Sequence, residues 1–175
     1  MMEDRAAKIN LLILDVDGVM TNGRVIMNDR GEETKSFCVK DGLGLKMLMS
    51  AGVEVALVTG RRSQVVLRRA EDLGIKHVYQ GVADKRAICS QVIRDNGFKK
   101  QEVCCMGDDL PDLAMFMESG LRVAVGDAAE EVRDAADFIT KSKGGDGAVR
   151  EICEFILRCQ NKWDDMLGTW TKQLS

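Results

Sequence analysis

The sequence predicts an α/β fold, a doubly wound parallel sheet, and three observations carry that expectation. Short aliphatic runs alternate with stretches of helical periodicity. The leading run, Leu11 to Leu14, is apolar at every position, as a strand covered on both faces requires. Three runs then stop at clusters of Asp, Thr and Gly, which places reactive groups at the carboxyl ends of the strands, where such sheets bind ligands.

The first strand is expected near residues 10–15 and runs out into Asp15, Val16, Asp17 and Gly18. The next segment breaks the alternation. Arg24 to Asn28 and Glu33 to Val39 carry β-type residues around Asp29, Arg30 and Gly31, so residues 19–40 read as a β-hairpin flap at the catalytic edge. A helix follows near 42–51, then a strand over Val53 to Val58 ending in Thr59, Gly60 and Arg61, then a helix near 63–73. A short strand near 77–80 precedes a helix near 84–97 that Lys85 opens. The strand at 103–106 ends in Gly107, Asp108 and Asp109, and the sole proline, Pro111, suits the first turn of a helix over 109–119. A strand near 121–125 and helices near 129–135 and 147–161 complete the pattern. In the tail, residues 143–175, Gly144 to Gly147 form a glycine-rich loop, and Trp163, Met166, Leu167 and Trp170 repeat at helical spacing as an amphipathic stripe.

Composition agrees with one domain over residues 1–175. A chain of 175 residues with 45% hydrophobic content buries a sizeable core without staples. A net charge of −3 with scattered Lys and Arg gives no basic face for nucleic acid. No apolar run approaches the ~20 residues of a membrane span, and Met1 to Lys8 is too charged and short for a secretory signal. The six cysteines show no C-x-x-C pairing and the only histidine is His77, so zinc is not indicated. Cys104 and Cys105 lie in an apolar strand, as reduced cytoplasmic thiols do. Cys38 lies beside the expected substrate loop, and His77 reads as a loop or core residue.

The polar strand ends together match one chemistry. Metal-assisted phosphoryl transfer needs a carboxylate nucleophile, an acid/base, a hydroxyl and a cation for the phosphoryl oxygens, and a carboxylate for the metal. Asp15, Asp17, Thr59, Lys85 and Asp108 supply these in order. The four segments D-V-D-G-V (Asp15 to Val19), T-G (Thr59, Gly60), Lys85 and G-D-D-L-P-D (Gly107 to Asp112) resemble the four motifs of the haloacid dehalogenase superfamily. From Asn10 to Gln160 the chain further resembles the 3-deoxy-D-manno-octulosonate 8-phosphate (KDO 8-phosphate) phosphatase family, in F-C-V-K-D-G-L-G-L-K, V-T-G-R-R, Y-Q-G and G-G-D-G-A-V-R-E. It departs from that pattern at Cys38, where His is usual, and at Lys40, Lys46 and Asp146, where Arg is usual.

The resemblance implies Mg²⁺ held by the Asp15 and Asp108 carboxylates and the backbone carbonyl of Asp17, with Asp109 and Asp112 supporting the ligands from behind. It implies hydrolysis of a keto-sugar acid phosphate through an aspartyl-phosphate. Substrate contacts are expected from Lys40, Asp41, Gly42, Lys46, Gly60, Arg61, Arg69 and Lys85. The segments between the motifs are too short for a cap domain, so the family implies a homo-oligomer, a tetramer, in which flaps and tails close neighbouring sites. An acidic Asp146 keeps a nine-carbon keto-sugar acid phosphate as an alternative substrate. Two non-enzymatic alternatives share the fold class. A phospho-accepting receiver places its Asp after a middle strand, whereas here the D-x-D follows the first. A regulatory domain of the sugar cytidylyltransferase type would accompany a transferase portion, and no such portion is present here.

Overall fold

The computed structural model describes residues 1–171; residues 172–175 and the side chains of Trp170 and Thr171 lie outside what is described. A short helix α1 (Met2–Ala6) precedes strand β1 (Leu11–Leu14), whose four residues are all buried. The flap is smaller than expected: β2 (Ile26–Met27) pairs antiparallel with β3 (Glu33–Thr34), and Val39 already opens helix α2 (Val39–Ser50). Beyond Thr34 the segment has no partner strand, and the β preference of Phe37 and Val39 is overridden where α2 begins.

The chain then alternates through β4 (Glu54–Thr59), α3 (Gln64–Leu73), β5 (His77–Gln80), α4 (Lys85–Asp95), β6 (Val103–Gly107), and α5 (Leu113–Phe116). It closes with β7 (Leu121–Ala124), α6 (Glu130–Ala135), β8 (Phe138–Ile139), α7 (Ala148–Cys159) and α8 (Trp163–Thr171). The six-stranded sheet has the order β5-β4-β1-β6-β7-β8, with every pair parallel. β1 therefore lies centrally between β4 and β6. That order brings the ends of these three strands, and the polar residues that follow them, side by side.

Three elements differ from expectation. The region 109–119 is not one helix: a 3-10 turn at Leu110–Asp112 leads into the four-residue α5. The Asp112 side chain turns back to accept the backbone N–H groups of Asp108 (2.9 Å) and Asp109 (3.3 Å), which tightens the first turn. Neither α1 nor β8 is signalled by periodicity, because five and two residues are too few to show one. Asp137 holds both in place: it accepts from Arg5 on α1 and from the backbone and side chain of Arg122 on β7.

Helix α7 buries Ala148, Val149, Ile152, Cys153, Ile156 and Leu157. It packs against α2, where the approach is close enough that a Cβ at Gly44 would sit 3.1 Å from the Arg150 Cα. Of the apolar tail stripe, Trp163 is buried and Met166 half-buried against the core, whereas Leu167 is exposed. Among the described residues, no helix is long and apolar enough to cross a membrane.

Candidate active site

β1, β4 and β6 deliver their polar ends to one cavity of about 880 Å³, lined by Asp15, Asp17, Thr59, Gly60, Arg61, Lys85, Asp108, Asp109 and Asp112 among others. Lys85 is the first residue of α4, whose start Asp84 caps by accepting the Ala87 N–H (3.0 Å). Its ammonium is buried between two carboxylates, 2.8 Å from Asp15 Oδ1 and 2.6 Å from Asp112 Oδ1. Burial alone would push the Lys85 pKa down, but the charges of Asp15 and Asp112 outweigh it and hold the pKa above its ordinary value. The cation stays charged beside Asp15.

The carboxylates of Asp15, Asp108 and Asp112 bring one oxygen each within 4.8 Å of one another. Such crowding is costly. Burial first, then repulsion from Asp112, Asp15 and Asp109, pushes Asp108 up to about 8, and burial and Asp112 likewise raise Asp15. Asp108 Oδ1 is buried with no hydrogen-bond partner, and a side chain at Gly18 (φ +96°) would collide with the Asp108 carboxylate. A hard divalent cation with oxygen ligands, such as magnesium, fits this donor set. Asp112 has Lys85 on Oδ1 and two backbone N–H groups on Oδ2. Asp15 and Asp108 are therefore the carboxylates with oxygens to give.

Thr59 ends β4 as a buried residue whose hydroxyl accepts the Arg61 N–H at 3.3 Å. Asp109 is exposed and caps its own turn through the Leu110 N–H (2.8 Å). Asp17 carries an ion pair with Lys35 on the flap and lies 3.9 Å from Arg61 Nε. Neither Lys35 nor its neighbour Glu33 is singled out by the motifs. The available signal is their spacing, which puts residues two apart on one face of an extended segment.

The other expected substrate residues lie elsewhere: Lys40, Asp41, Gly42, Lys46 and Arg69 do not line this cavity. Lys40 and Lys46 are exposed. Asp41 is buried at the start of α2 and accepts the N–H groups of Arg150 (2.8 Å) and Gly147 (3.4 Å), satisfying the first turn of α7. Gly42 makes room for the Arg69 guanidinium, which stacks 5.6 Å from the centre of the Phe37 ring. His77 pairs with Glu54 (2.9 Å) at the opposite, amino end of the strands. Cys38 precedes α2 as a half-buried free thiol.

Comparison with known proteins agrees with this geometry. The model of haloacid dehalogenase-like hydrolases matches residues 75–152. The 3-deoxy-D-manno-octulosonate 8-phosphate phosphatase KdsC of Yersinia pestis is 43% identical over 164 residues, 94% of this chain and 88% of that protein. The crystal structure of the Moraxella catarrhalis phosphatase in complex with magnesium, phosphate and KDO superposes with a TM-score of 0.94 at 42% identity, covering 97% of each chain. The cobalt-bound phosphatase of Haemophilus influenzae gives 0.88 at 40% identity, covering 91% of this chain and 93% of that one. At this identity over nearly the whole chain, and with the motif residues gathered at one sheet edge, the protein belongs to the 3-deoxy-D-manno-octulosonate 8-phosphate phosphatase family of haloacid dehalogenase-like hydrolases.

Proposed function

We propose that this chain is a magnesium-dependent phosphatase that hydrolyses 3-deoxy-D-manno-octulosonate 8-phosphate through an aspartyl-phosphate. The observation that carries the reading is the cluster of Asp15, Asp108, Asp112 and Lys85 that lines the cavity. Asp15 attacks phosphorus as the ester P–O bond breaks, and Asp17 gives its proton to the departing sugar oxygen. Asp17 then takes a proton from water, whose oxygen attacks phosphorus; the bond to Asp15 breaks and phosphate leaves. Thr59 and Lys85 donate to the phosphoryl oxygens. The Asp15 and Asp108 carboxylates and the Asp17 carbonyl would hold magnesium, with Asp112 orienting the cluster. Magnesium, when bound, neutralises phosphoryl charge so that an anionic nucleophile can approach an anionic ester.

Gly60 and Arg61 line the cavity and are the nearest candidates for substrate contact. In this reading Lys40, Lys46 and Arg69 serve the sugar acid from a homotetramer, in which neighbouring flaps and tails close each site, while Asp41 and Gly42 act through the packing of α2 on α7 and Arg69. The exposed flap residues Val25, Ile26 and Met27 support such an assembly. A cytoplasmic location fits six free cysteines.

The test is phosphate release with magnesium across keto-sugar acid phosphates, hexose phosphates and aryl phosphates. The eight-carbon keto-acid phosphate is expected to turn over fastest. Equal or better rates on hexose phosphates would overturn the substrate assignment. Asp15→Asn keeps the shape but removes the nucleophile, and no turnover is expected; retained activity would overturn the mechanism.

A further inference from the structure

Four side chains from three parts of the chain close a ring of alternating charge beside the cavity. Asp17 follows β1, Glu33 and Lys35 belong to the flap, and Arg61 follows β4. The Lys35 ammonium contacts Asp17 Oδ1 and lies 3.2 Å from Glu33 Oε1. Arg61 Nη2 is 3.0 Å from the same Glu33 oxygen, and its Nε is 3.9 Å from Asp17 Oδ2. The Lys35 side chain is only 1% exposed, so a long, flexible chain is held in one place. Asp17 Oδ2 is buried and has no hydrogen-bond partner.

The two oxygens of Asp17 are thus unequal. Oδ1 is held by a buried ammonium, whereas Oδ2 lies without a hydrogen bond on the side of Arg61, which lines the cavity. A carboxylate that shuttles a proton must present one oxygen to the leaving group at hydrogen-bond range, and free rotation would spoil that geometry.

We propose that Lys35 is a positioning residue: it grips Asp17 Oδ1 from the flap, with Glu33 aiming its ammonium, and so reserves Oδ2 for proton exchange with the leaving oxygen. The inference rests on the proposed role of Asp17 as acid/base. It also gives the flap a chemical function, since Asp17 is aligned only while the flap is seated.

The leaving group provides the test. A sugar alkoxide needs a proton as it departs, whereas p-nitrophenolate leaves without one, so misaligning Asp17 should harm the first reaction selectively. The value of kcat/KM, which reports the steps through leaving-group departure, is measured for wild type, Lys35→Met and Lys35→Arg on KDO 8-phosphate and on p-nitrophenyl phosphate. Lys35→Met is expected to lower the sugar-to-aryl ratio of kcat/KM about 100-fold, within the range of general-acid contributions. Lys35→Arg, which retains a cation, should recover part of that ratio. The sugar-phosphate loss should appear in kcat rather than KM.

An unchanged ratio in Lys35→Met, or a loss confined to KM, would overturn the proposal. Glu33→Gln provides a variant that leaves the ammonium in place, and a smaller fall in the same ratio is expected; no fall in either variant counts against the ring. If wild type itself lacks magnesium-dependent turnover of both substrates, the function fails, which is a different outcome from active wild type with an indifferent Lys35.

Discussion

Asp112 carries two duties in the cluster: it orients the Lys85 ammonium through Oδ1 and fixes the Asp108 backbone through Oδ2. Groups that orient metal ligands without binding the metal characteristically contribute 10–100-fold to metal affinity. Asp112→Asn should therefore raise the magnesium concentration for half-maximal activity by about 10–100-fold. A magnesium titration of phosphate release checks this, and an unshifted curve would show that Asp112 acts on Lys85 alone. The residue also sets a steric requirement at Gly107. A side chain at Gly107 would overlap the Asp112 side chain, so the strand must end in glycine for the carboxylate to fold back.

Between elements, two junctions set the site's rigidity. The glycine-rich segment 144–147 lies against this chain's own loop after β1: Gly145 N donates to Val19 O (2.9 Å), and a Cβ at Gly144 would overlap the Gly18 carbonyl oxygen. The glycines there allow close packing of backbone on backbone within the chain. Gly144→Ala should cost about 1–3 kcal/mol, as overpacking against rigid backbone does. It should also lower kcat by displacing the loop that bears Asp17, and chemical denaturation beside kinetics would separate the two effects.

The second junction is the Asp137 clasp on α1, β7 and β8. Burial pushes this carboxyl up, but the hydrogen bonds from Arg122 and Arg5 win and hold it well below the usual carboxylate range. The native state then binds fewer protons than the unfolded state, so the clasp stabilises above about pH 4 and is lost as pH falls below it. Because both arginines are nearly half exposed, the worth of the clasp is modest. Asp137→Asn is expected to lose about 1–2 kcal/mol at neutral pH. The gap in urea midpoint between wild type and variant should begin to narrow as pH falls below about pH 4 and go on narrowing with further acidification. A gap of constant size would contradict the sign.

At the scale of the whole molecule, the three crowded carboxylates make the fold responsive to a cation. A ligand present at about 100 times its Kd adds about 2.7 kcal/mol to the folded state. For a chain of this size that corresponds to a rise in Tm of roughly 5–10 °C. Magnesium should raise the Tm of wild type by this order and leave Asp108→Asn nearly unmoved. Equal shifts in both would place the cation elsewhere.

The catalytic edge was legible in the sequence because its signals are local. Leu11 to Leu14, apolar throughout, marks a doubly covered strand, and the residues after β1, β4 and β6 announce chemistry wherever those strands lie in the sheet. Helical periodicity sufficed for α3, α4 and α7. What the tertiary structure alone decided depends on distance along the chain. Strand order put Asp15 between Thr59 and Asp108; packing turned Asp41 into the acceptor for the first turn of α7; and the flap carried Lys35 to Asp17. A lysine in a polar hairpin looks like any solvated lysine until folding buries it, since the energy of an ion pair depends on surroundings that no local pattern records.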